Sequence, residues 1–528
     1  MALPIHTSRP RVPRQHAALA AAGEGFSSGT ISLGGLLVCR ASSFSKVWAV
    51  HEGGPNNQGT TFLEPSSIPQ GFFMLGCHGQ PGNEKSPGGV LVARDESAGD
   101  LLKAPLDYSP VWNSESARIK KDGDGYFWMP VPPEGYVAVG LVVTATREKP
   151  SVEKVRCVRS DFTEIGETDQ WIWGSSGFNV FSTRPRDRGM GAMGVATGTL
   201  GIPNIACLKN RNPCYASFMP SLSQIDTLFR SYSPIVYFHP DEQYLPSSVD
   251  WFFTNGALLF HKGEESRPVA VDPMGSNLPQ GGSNDNAYWL DLPTDPREKE
   301  RVKRGDLPRS QAYLHVKPMY GATFTDIAAW LFYPFNGPAK AKVEFFNVSL
   351  GRIGEHVGDW EHVTLRISNF NGELSAVFFS QHGGGTWVKA QDLEYQNGSN
   401  KFVAYSSLHG HASYPKPGLV LQGSGKIGIR NDTVKSKTFV DTGANYSVVA
   451  ADYIESGIVT PPWLNYYREW GPKVDYDINR EIQMAVKVLP GKLRAVLEKV
   501  VRSLPKEVLG EEGPTGPKGK SNWDGDES

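Results

Sequence analysis

Two tryptophans and two glycines recur at one fixed spacing near the start of this chain, and this repeat limits the fold more than any other feature. Trp112 follows Trp48 by 64 residues, and Gly135 follows Gly71 by the same distance. Each copy joins apolar strands through a Pro-rich turn, in which the glycine supplies the positive φ that such a turn needs. The pattern predicts similar β-units that bury a shared face. We therefore expect a duplicated β-module over residues 25–165, with repeats near 25–100 and 101–165.

The rest of the chain favours further β-structure. With 57 Gly, 39 Pro, 13 Trp, 25 Phe and 19 Tyr, the composition is typical of short aromatic strands joined by many turns. The predicted fold class is mainly β: the duplicated N-terminal β-module, a C-terminal β-sandwich and a short C-terminal amphipathic helix. The other predicted segments are a disordered leader over 1–24, a Gly/Arg-rich linker over 166–230, the sandwich over 231–475, a helical segment over 476–509 and a disordered tail over 510–528.

Charge and cysteine usage exclude several classes of protein. Lys and Arg number 53 against 55 Asp and Glu, so the net charge of −2 gives no basic footprint for nucleic acid. The longest uncharged apolar run, from Tyr136 to Ala145, is about half the length of a membrane span, so we expect no transmembrane segment. The five cysteines are an odd number and are widely spaced, which favours reduced or buried thiols over a disulfide framework.

One segment near the C-terminus has helical periodicity. Apolar side chains at i, i+3 and i+4 follow the Pro490-Gly491 break, and basic residues flank them. Such a helix can lie on an anionic membrane. Docking on its own β-domain is the other interpretation, and the sequence favours it. The apolar stripe consists of Leu493, Val496, Leu497, Val500, Val501 and Leu504.

A hairpin signal lies in the stretch that carries most of the histidines and carboxylates. Asn371-Gly372 separates two alternating apolar runs, and both residues tolerate the φ of a two-residue type I′ turn. With these as the turn residues, Glu361 faces His382 across the pair. Asp359 shares the parity of Glu361, so both carboxylates point to the same apolar face.

Two carboxylates on an apolar face require a cation or strong hydrogen-bond donors. His356 and His382 can supply nitrogen ligands beside Asp359 and Glu361, and the set suits a divalent cation such as Mg²⁺, Ca²⁺, Mn²⁺ or Zn²⁺. A hydrogen-bonded polar cluster and a catalytic acid–base pair remain alternatives. His409 and His411 form a second polar pair that we place on one strand face.

Several motifs resemble one plant family. They include EHVGDWEHVTLRI, AWLFYPFNGPAKAKV, YPKPGLVLQG, PPWLNYYREWGPKVDYDI and EVLGEEGPTGPK. Together they are similar to the plant vacuolar protein sorting-associated protein 62 family, and the similarity runs from near Gly25 to the tail. The resemblance implies a role in endomembrane trafficking and no established biochemical activity.

Two shorter stretches resemble other families. The repeat with FWMPVPPEGYVAVG looks like the adaptor-binding repeats of vacuolar protein sorting-associated protein 13, which implies recognition of Pro-x-Pro peptides. EHVGDWE is similar to the metal-binding heptad of necrosis- and ethylene-inducing-peptide-like cytolysins, which are β-sandwiches. That resemblance implies metal ligands at His356, Asp359 and Glu361. The heptad's leading Gly and second His are replaced by Glu355 and Gly358, which puts cytolytic behaviour in doubt.

The sequence therefore favours a non-enzymatic adaptor or lipid-associated factor in endomembrane or vacuolar trafficking, with a divalent-metal site in the sandwich. The alternatives are a metal-dependent membrane-binding or membrane-damaging protein and, on the acidic-histidine cluster alone, a metal-dependent hydrolase. Expected partners are membrane lipid or a Pro-containing peptide of a trafficking protein. We expect a cytoplasmic protein peripheral to endomembranes, although Arg9, Arg11 and Arg14 in an acid-free leader leave plastid or mitochondrial targeting open.

Overall fold

A computed structural model gives the fold of most of the chain. It describes residues 25–41, 43–82, 89–97, 99–424, 426–474, 477–487, 489–504, 506 and 508–527. The predicted leader over 1–24 lies outside these residues. Strands in several sheets dominate, with few short helices, which confirms the mainly β fold class. No helix of the described residues is long and apolar enough to cross a membrane.

The predicted repeat has a structural counterpart in the first thirteen strands. Each copy forms two three-stranded units with the same order: β3-β4-β6 corresponds to β9-β10-β12, and β2-β7-β5 corresponds to β8-β13-β11. The strands are β1 Thr30–Ser32, β2 Leu36–Ala41, β3 Phe44–Val50, β4 Thr60–Pro65, β5 Phe73–Met74, β6 His78–Pro81, β7 Val90–Asp95, β8 Leu102–Lys103, β9 Asp107–Asn113, β10 Tyr126–Val131, β11 Tyr136–Val137, β12 Val142–Thr144 and β13 Cys157–Arg159.

A third copy of the same unit follows the second. The sheet order β16-β18-β14-β15-β17 contains both patterns, because the two halves of the long strand β14 pair with different partners. The sequence predicts a linker over 166–230; the structure instead shows strands up to residue 209 and a helix from residue 222. The new strands are β14 Thr163–Ser175, β15 Phe178–Pro185, β16 Gly194–Val195, β17 Leu200–Gly201 and β18 Ala206–Lys209.

The three copies meet around a pseudo-threefold axis. Three backbone hydrogen bonds close a ring there: Cys77 N donates to Leu141 O at 2.7 Å, Leu141 N to Leu200 O at 3.0 Å, and Leu200 N to Cys77 O at 2.7 Å. One tryptophan of each copy enters a shared aromatic cluster, with ring centroids 5.3–6.3 Å apart. These are Trp48, Trp112 and Trp173. The module is therefore built from three copies rather than two.

Both repeat glycines have the backbone geometry that the turn requires. Gly71 has a φ of 81° and Gly135 a φ of 79°. A Cβ at Gly135 would meet no atom within 4 Å, so a side chain there costs only backbone strain. We expect Gly135→Val to lower the free energy of unfolding by about 1–3 kcal/mol in urea denaturation. Gly191→Val is the control, because Gly191 is equally open and its φ is not positive; equal effects of the two variants would contradict the strain argument.

The C-terminal domain contains the remaining strands and all five described α-helices. In chain order they are α1 Leu222–Tyr232, β19 Ile235–Tyr237, α2 Val249–Thr254, β20 Leu258–His261, β21 Val269–Ala270, β22 Tyr288–Asp291, α3 Pro296–Lys303, β23 Ala312–Met319, β24 Phe324–Asn336, β25 Lys340–Val343, β26 Phe346–Ser349, β27 His356–Ser368, β28 Leu374–Gln381, β29 Gly384–Lys389, β30 Val403–Ser406, β31 Ser413–Tyr414, β32 Gly418–Ser424, β33 Ile427–Thr433, β34 Phe439–Asp441, β35 Tyr446–Ala450, α4 Ile478–Val486 and α5 Gly491–Arg502.

The central sheet of this domain is buried on both faces. Its order is β29-β28-β27-β24-β23-β35. One face packs against α1 and the four-stranded sheet β31-β30-β19-β34, which gives the expected sandwich. The other face packs against α2, the small sheet β21-β20-β22 and a cluster of tryptophans. Because both faces are covered, β27 is buried along its whole length.

Two further elements complete the domain. The sheet β26-β25-β33-β32 packs against α4 and α5, whose Leu497 and Val501 are buried in its core, so the basic amphipathic helix lies on its own β-domain. The sequence predicts a disordered tail over 510–528; in the structure residues 510–527 instead pack on the domain. Trp523 stacks on His315 with ring centroids 3.7 Å apart, and Glu527 is buried.

Candidate functional site

The hairpin of β27 and β28 differs in register from the sequence prediction. Val363 pairs with Phe379 and Leu365 with Val377, and a bulge follows between Arg366 and Ile367. The connection is the five-residue loop 369–373 instead of a two-residue turn. Phe370 in this loop is buried in a core of the N-terminal module.

Glu361 and His382 lie near the point where β27 and β28 part. Ser380 Oγ donates to Glu361 Oε2 at 3.0 Å, whereas His382 Nε2 lies 2.9 Å from Asn431 Oδ1. Glu361 precedes the paired stretch of β27, and His382 directly follows the end of β28. The β27–β28 pairing begins at Val363, so the two strands separate beyond that point. A cavity of about 360 Å³ lies where they separate.

Asp359 is held by a histidine from a distant loop. His411 Nδ1 lies 2.8 Å from Asp359 Oδ2, and the His411 ring stacks on Tyr333 with centroids 3.9 Å apart. His411 Nε2 lies 3.9 Å from Glu242 Oε2, which also accepts a hydrogen bond from the His409 backbone N at 2.6 Å. His409 and His411 both have positive φ and lie in the loop between β30 and β31. The sequence predicts that they share one strand face; in the structure neither residue lies on a strand.

The carboxylate of Asp359 stays ionised in spite of its burial. Burial raises its pKa, but the hydrogen bond from His411 and the electrostatic interactions with His356, His411 and Lys520 lower it more. The net pKa lies below the usual value for aspartate. The Asp359 side chain is therefore a carboxylate at neutral pH.

The cavity brings together most of the residues that the sequence singles out. His356, Asp359, Glu361, His382 and His409 line it, and His411 lies behind Asp359. Nδ1 of His356 is buried without a hydrogen-bond partner among the described residues. Within the described ranges, no three His, Cys, Asp or Glu side chains are placed as a ready-made metal-binding group.

Sequence reasoning missed the residues that approach from far along the chain. Glu242 contacts the loop of His409, and its surroundings in the sequence give no motif. On the opposite face of β27, His362 stacks on Trp330 at 4.2 Å and contacts Glu527 at 3.2 Å. Glu527 also lines the cavity, so the tail forms part of its wall. A buried role for a carboxylate in so polar a tail has no signal in the local sequence.

Fold and site together define a class: a β-rich protein with a threefold-repeated module and a sandwich domain that has a carboxylate- and histidine-lined cavity. The chain belongs to the vacuolar protein sorting-associated protein 62 family, whose model matches residues 11–527. This confirms the family resemblance of the sequence motifs.

One curated relative is vacuolar protein sorting-associated protein 62 of Saccharomyces cerevisiae. It is 27% identical over 181 residues, which cover 31% of this chain and 37% of that relative. The chain thus matches little more than a third of the length of the yeast protein.

Two solved structures have partial similarity to this chain. GNIP1Aa from Chromobacterium piscinae is 22% identical, covers 37% of this chain and 40% of its own, and gives a TM-score of 0.29. Necrosis and Ethylene inducing Protein 2 from the causal agent of cocoa's Witches Broom disease is 12% identical, covers 38% and 69%, and gives a TM-score of 0.21.

Proposed function

We propose that this protein acts in vacuolar sorting as a non-enzymatic adaptor or lipid-associated factor at the cytoplasmic side of endomembranes, and that its cavity binds a divalent cation. His356, Asp359 and Glu361 would hold the cation, with His382 at the cavity wall. Membership of the sorting family supports the trafficking role. Mg²⁺, Ca²⁺, Mn²⁺ and Zn²⁺ all suit mixed oxygen and nitrogen ligands.

The observation that carries the cation proposal is the buried, unpartnered Nδ1 of His356 beside an ionised Asp359. A buried imidazole nitrogen without a hydrogen bond costs free energy, and a cation in the cavity would satisfy it. The cation would also neutralise the charge of Asp359. His411 holds Asp359 Oδ2 from behind, which is the kind of outer contact that orients metal ligands.

The test is thermal unfolding of the full chain with each cation and with a chelator. A ligand that binds only the folded state stabilises it by about 2.7 kcal/mol at a hundredfold excess over Kd. We expect one of the four cations to raise the Tm and the chelator to reverse the rise. Asp359→Asn should abolish this response, because it removes the charged ligand.

Three further variants sharpen the test. Trp360→Phe should leave cation affinity almost unchanged, because Trp360 lines the cavity but offers no carboxylate or imidazole ligand, and its ring packs in the tryptophan cluster. His382→Ala should weaken binding less than Glu361→Ala, since a neutral imidazole offsets no charge. If neither cations nor chelator move the Tm of the unmodified protein while Asp359→Asn still destabilises it, the cluster is a hydrogen-bonded structural network and the cation proposal is wrong.

A further inference from the structure

A nearly fully exposed phenylalanine stands at the end of the sheet that α4 and α5 cover. The hairpin of β25 and β26 turns at Glu344 and Phe345, and Phe345 is 88% exposed. The next residue, Phe346, is 41% exposed. We refer to residues 344–346 as the aromatic tip. Solvent disfavours two adjacent aromatic rings on a protrusion, so they indicate a surface that contacts something apolar.

Two lysines lie near the aromatic tip. Lys426, at the neighbouring hairpin of β32 and β33, accepts a hydrogen bond at its backbone O from Glu344 N at 3.1 Å. Its Nζ lies 5.9 Å from the centroid of the Phe345 ring. Lys342 lies on β25, three residues before Phe345. Glu344 is the acidic residue of the tip itself.

The whole layer around this sheet is basic in a chain that is otherwise acidic. Segments 340–352, 416–435 and 477–504, which form the sheet and its two helices, contain thirteen Lys and Arg against five Asp and Glu. The rest of the chain contains 40 Lys and Arg against 50 Asp and Glu. The positive charge is therefore concentrated in the layer that carries the aromatic tip.

We propose that the aromatic tip and its neighbouring lysines dock on an anionic phospholipid bilayer. A convex protrusion of two phenylalanines fits the boundary between headgroups and acyl chains, where aromatic side chains enter and lysines reach the phosphates. The surface is not a groove, so it does not suit a bound peptide. This inference rests on the lipid-associated form of the proposed function and names the surface that meets the lipid.

The test is co-sedimentation of the full chain with mixed phosphatidylcholine–phosphatidylserine vesicles, with pure phosphatidylcholine vesicles for comparison. We expect binding to the anionic vesicles only and a fall in binding as salt is added. Phe345→Ser should weaken that binding by about tenfold. Lys426→Glu should weaken it by a similar factor and reduce its salt dependence.

Val459→Ser is the matched control, because Val459 is 84% exposed in the same domain but outside the basic layer. It should leave vesicle binding unchanged, and the melting curves of all three variants should match that of the unmodified protein. The inference is overturned if the unmodified protein does not sediment with anionic vesicles, or if Phe345→Ser and Val459→Ser behave alike. The vesicle assay is repeated with chelator, and the cation titration is repeated with Phe345→Ser. We expect chelator to leave vesicle binding unchanged and Phe345→Ser to keep the cation response, so failure of the lipid surface is distinguished from failure of the cation site.

Discussion

Removal of residues 521–528 is expected to lower the free energy of unfolding of the C-terminal domain by about 3–5 kcal/mol at neutral pH, the cost of leaving a buried charge without its partners. Lys317 is fully buried, and its Nζ donates to the carbonyls of Asn522 at 2.7 Å and Gly525 at 2.9 Å. Without the tail, this ammonium loses both acceptors. Urea denaturation followed by tryptophan fluorescence measures the effect.

The buried carboxylate of Glu527 makes the packing of the tail on the central sheet dependent on pH. Burial raises its pKa, but the positive charge and hydrogen bond of His362, the charge of Lys317 and a hydrogen bond from Thr364 lower it to about 2. Because the folded-state pKa lies below the unfolded value, the stabilisation is complete above pH of about 4.3 and is lost as the pH falls toward the folded value.

Glu527→Gln should therefore lower the free energy of unfolding by about 3 kcal/mol at neutral pH. It should also make that free energy less dependent on pH between the folded and unfolded pKa values of Glu527. Glu300→Gln is the control, because Glu300 lies on the surface of α3 in an exposed pair with Lys303. If Glu527→Gln and Glu300→Gln have the same small effect, the tail does not hold the domain together. If the stability of Glu527→Gln falls toward low pH as steeply as that of the unmodified protein, a group other than Glu527 causes the loss.

The sequence predicts the first two repeats but not the third, for a physical reason. In the first two copies the tryptophans and turn glycines recur at one spacing, so the alignment is visible. In the third copy Trp173 follows Trp112 by 61 residues instead of 64. The repeat there is preserved in strand pairing, and the Gly- and Arg-rich stretch at 184–194 lies between its strands. Composition alone therefore indicates a linker.

The candidate site also contains residues that the local sequence predicts and residues whose position depends on distant parts of the chain. His356, Asp359 and Glu361 belong to one strand and line one cavity, as their proximity in the sequence predicts, and Asp359 and Glu361 also share parity. The position of His382 depends on the register of the two strands, which are joined by the five-residue loop 369–373, whose Phe370 packs in a core of the other domain. Long-range packing of this kind has no signal in the hairpin's own residues.

The partners of Asp359 and His362 were beyond local reasoning for a different reason. His411 approaches Asp359 across 52 positions, and Glu527 approaches His362 across 165. A polar tail rich in Gly, Asp and Glu has the composition of a disordered segment. It is ordered here because its carboxylates and carbonyls meet buried cationic and polar groups of the central sheet, namely Lys317, His362, Thr364 and Arg366.

The pseudo-threefold axis of the N-terminal module gives the second prediction with a large effect. Gly76 and Gly140 occupy equivalent positions in the first two copies, and their backbones touch there. A Cβ at Gly140 would lie 2.7 Å from Thr199 Cβ and 3.0 Å from Gly76 Cα. Neither neighbour is the flexible end of a side chain, so the backbone itself would have to move.

Gly140→Val should therefore lower the free energy of unfolding of the module by about 3 kcal/mol or more, since overpacking at the axis strains the three-bond ring that joins the copies. Thermal unfolding followed by near-ultraviolet circular dichroism reports on the tryptophan cluster beside the axis. Gly140→Ala should have the same direction and a smaller effect, because it adds only the Cβ. Gly135→Val, strained in its backbone but open in space, is the reference. If Gly140→Val costs no more than Gly135→Val, the copies do not meet at this glycine and the threefold arrangement is wrong.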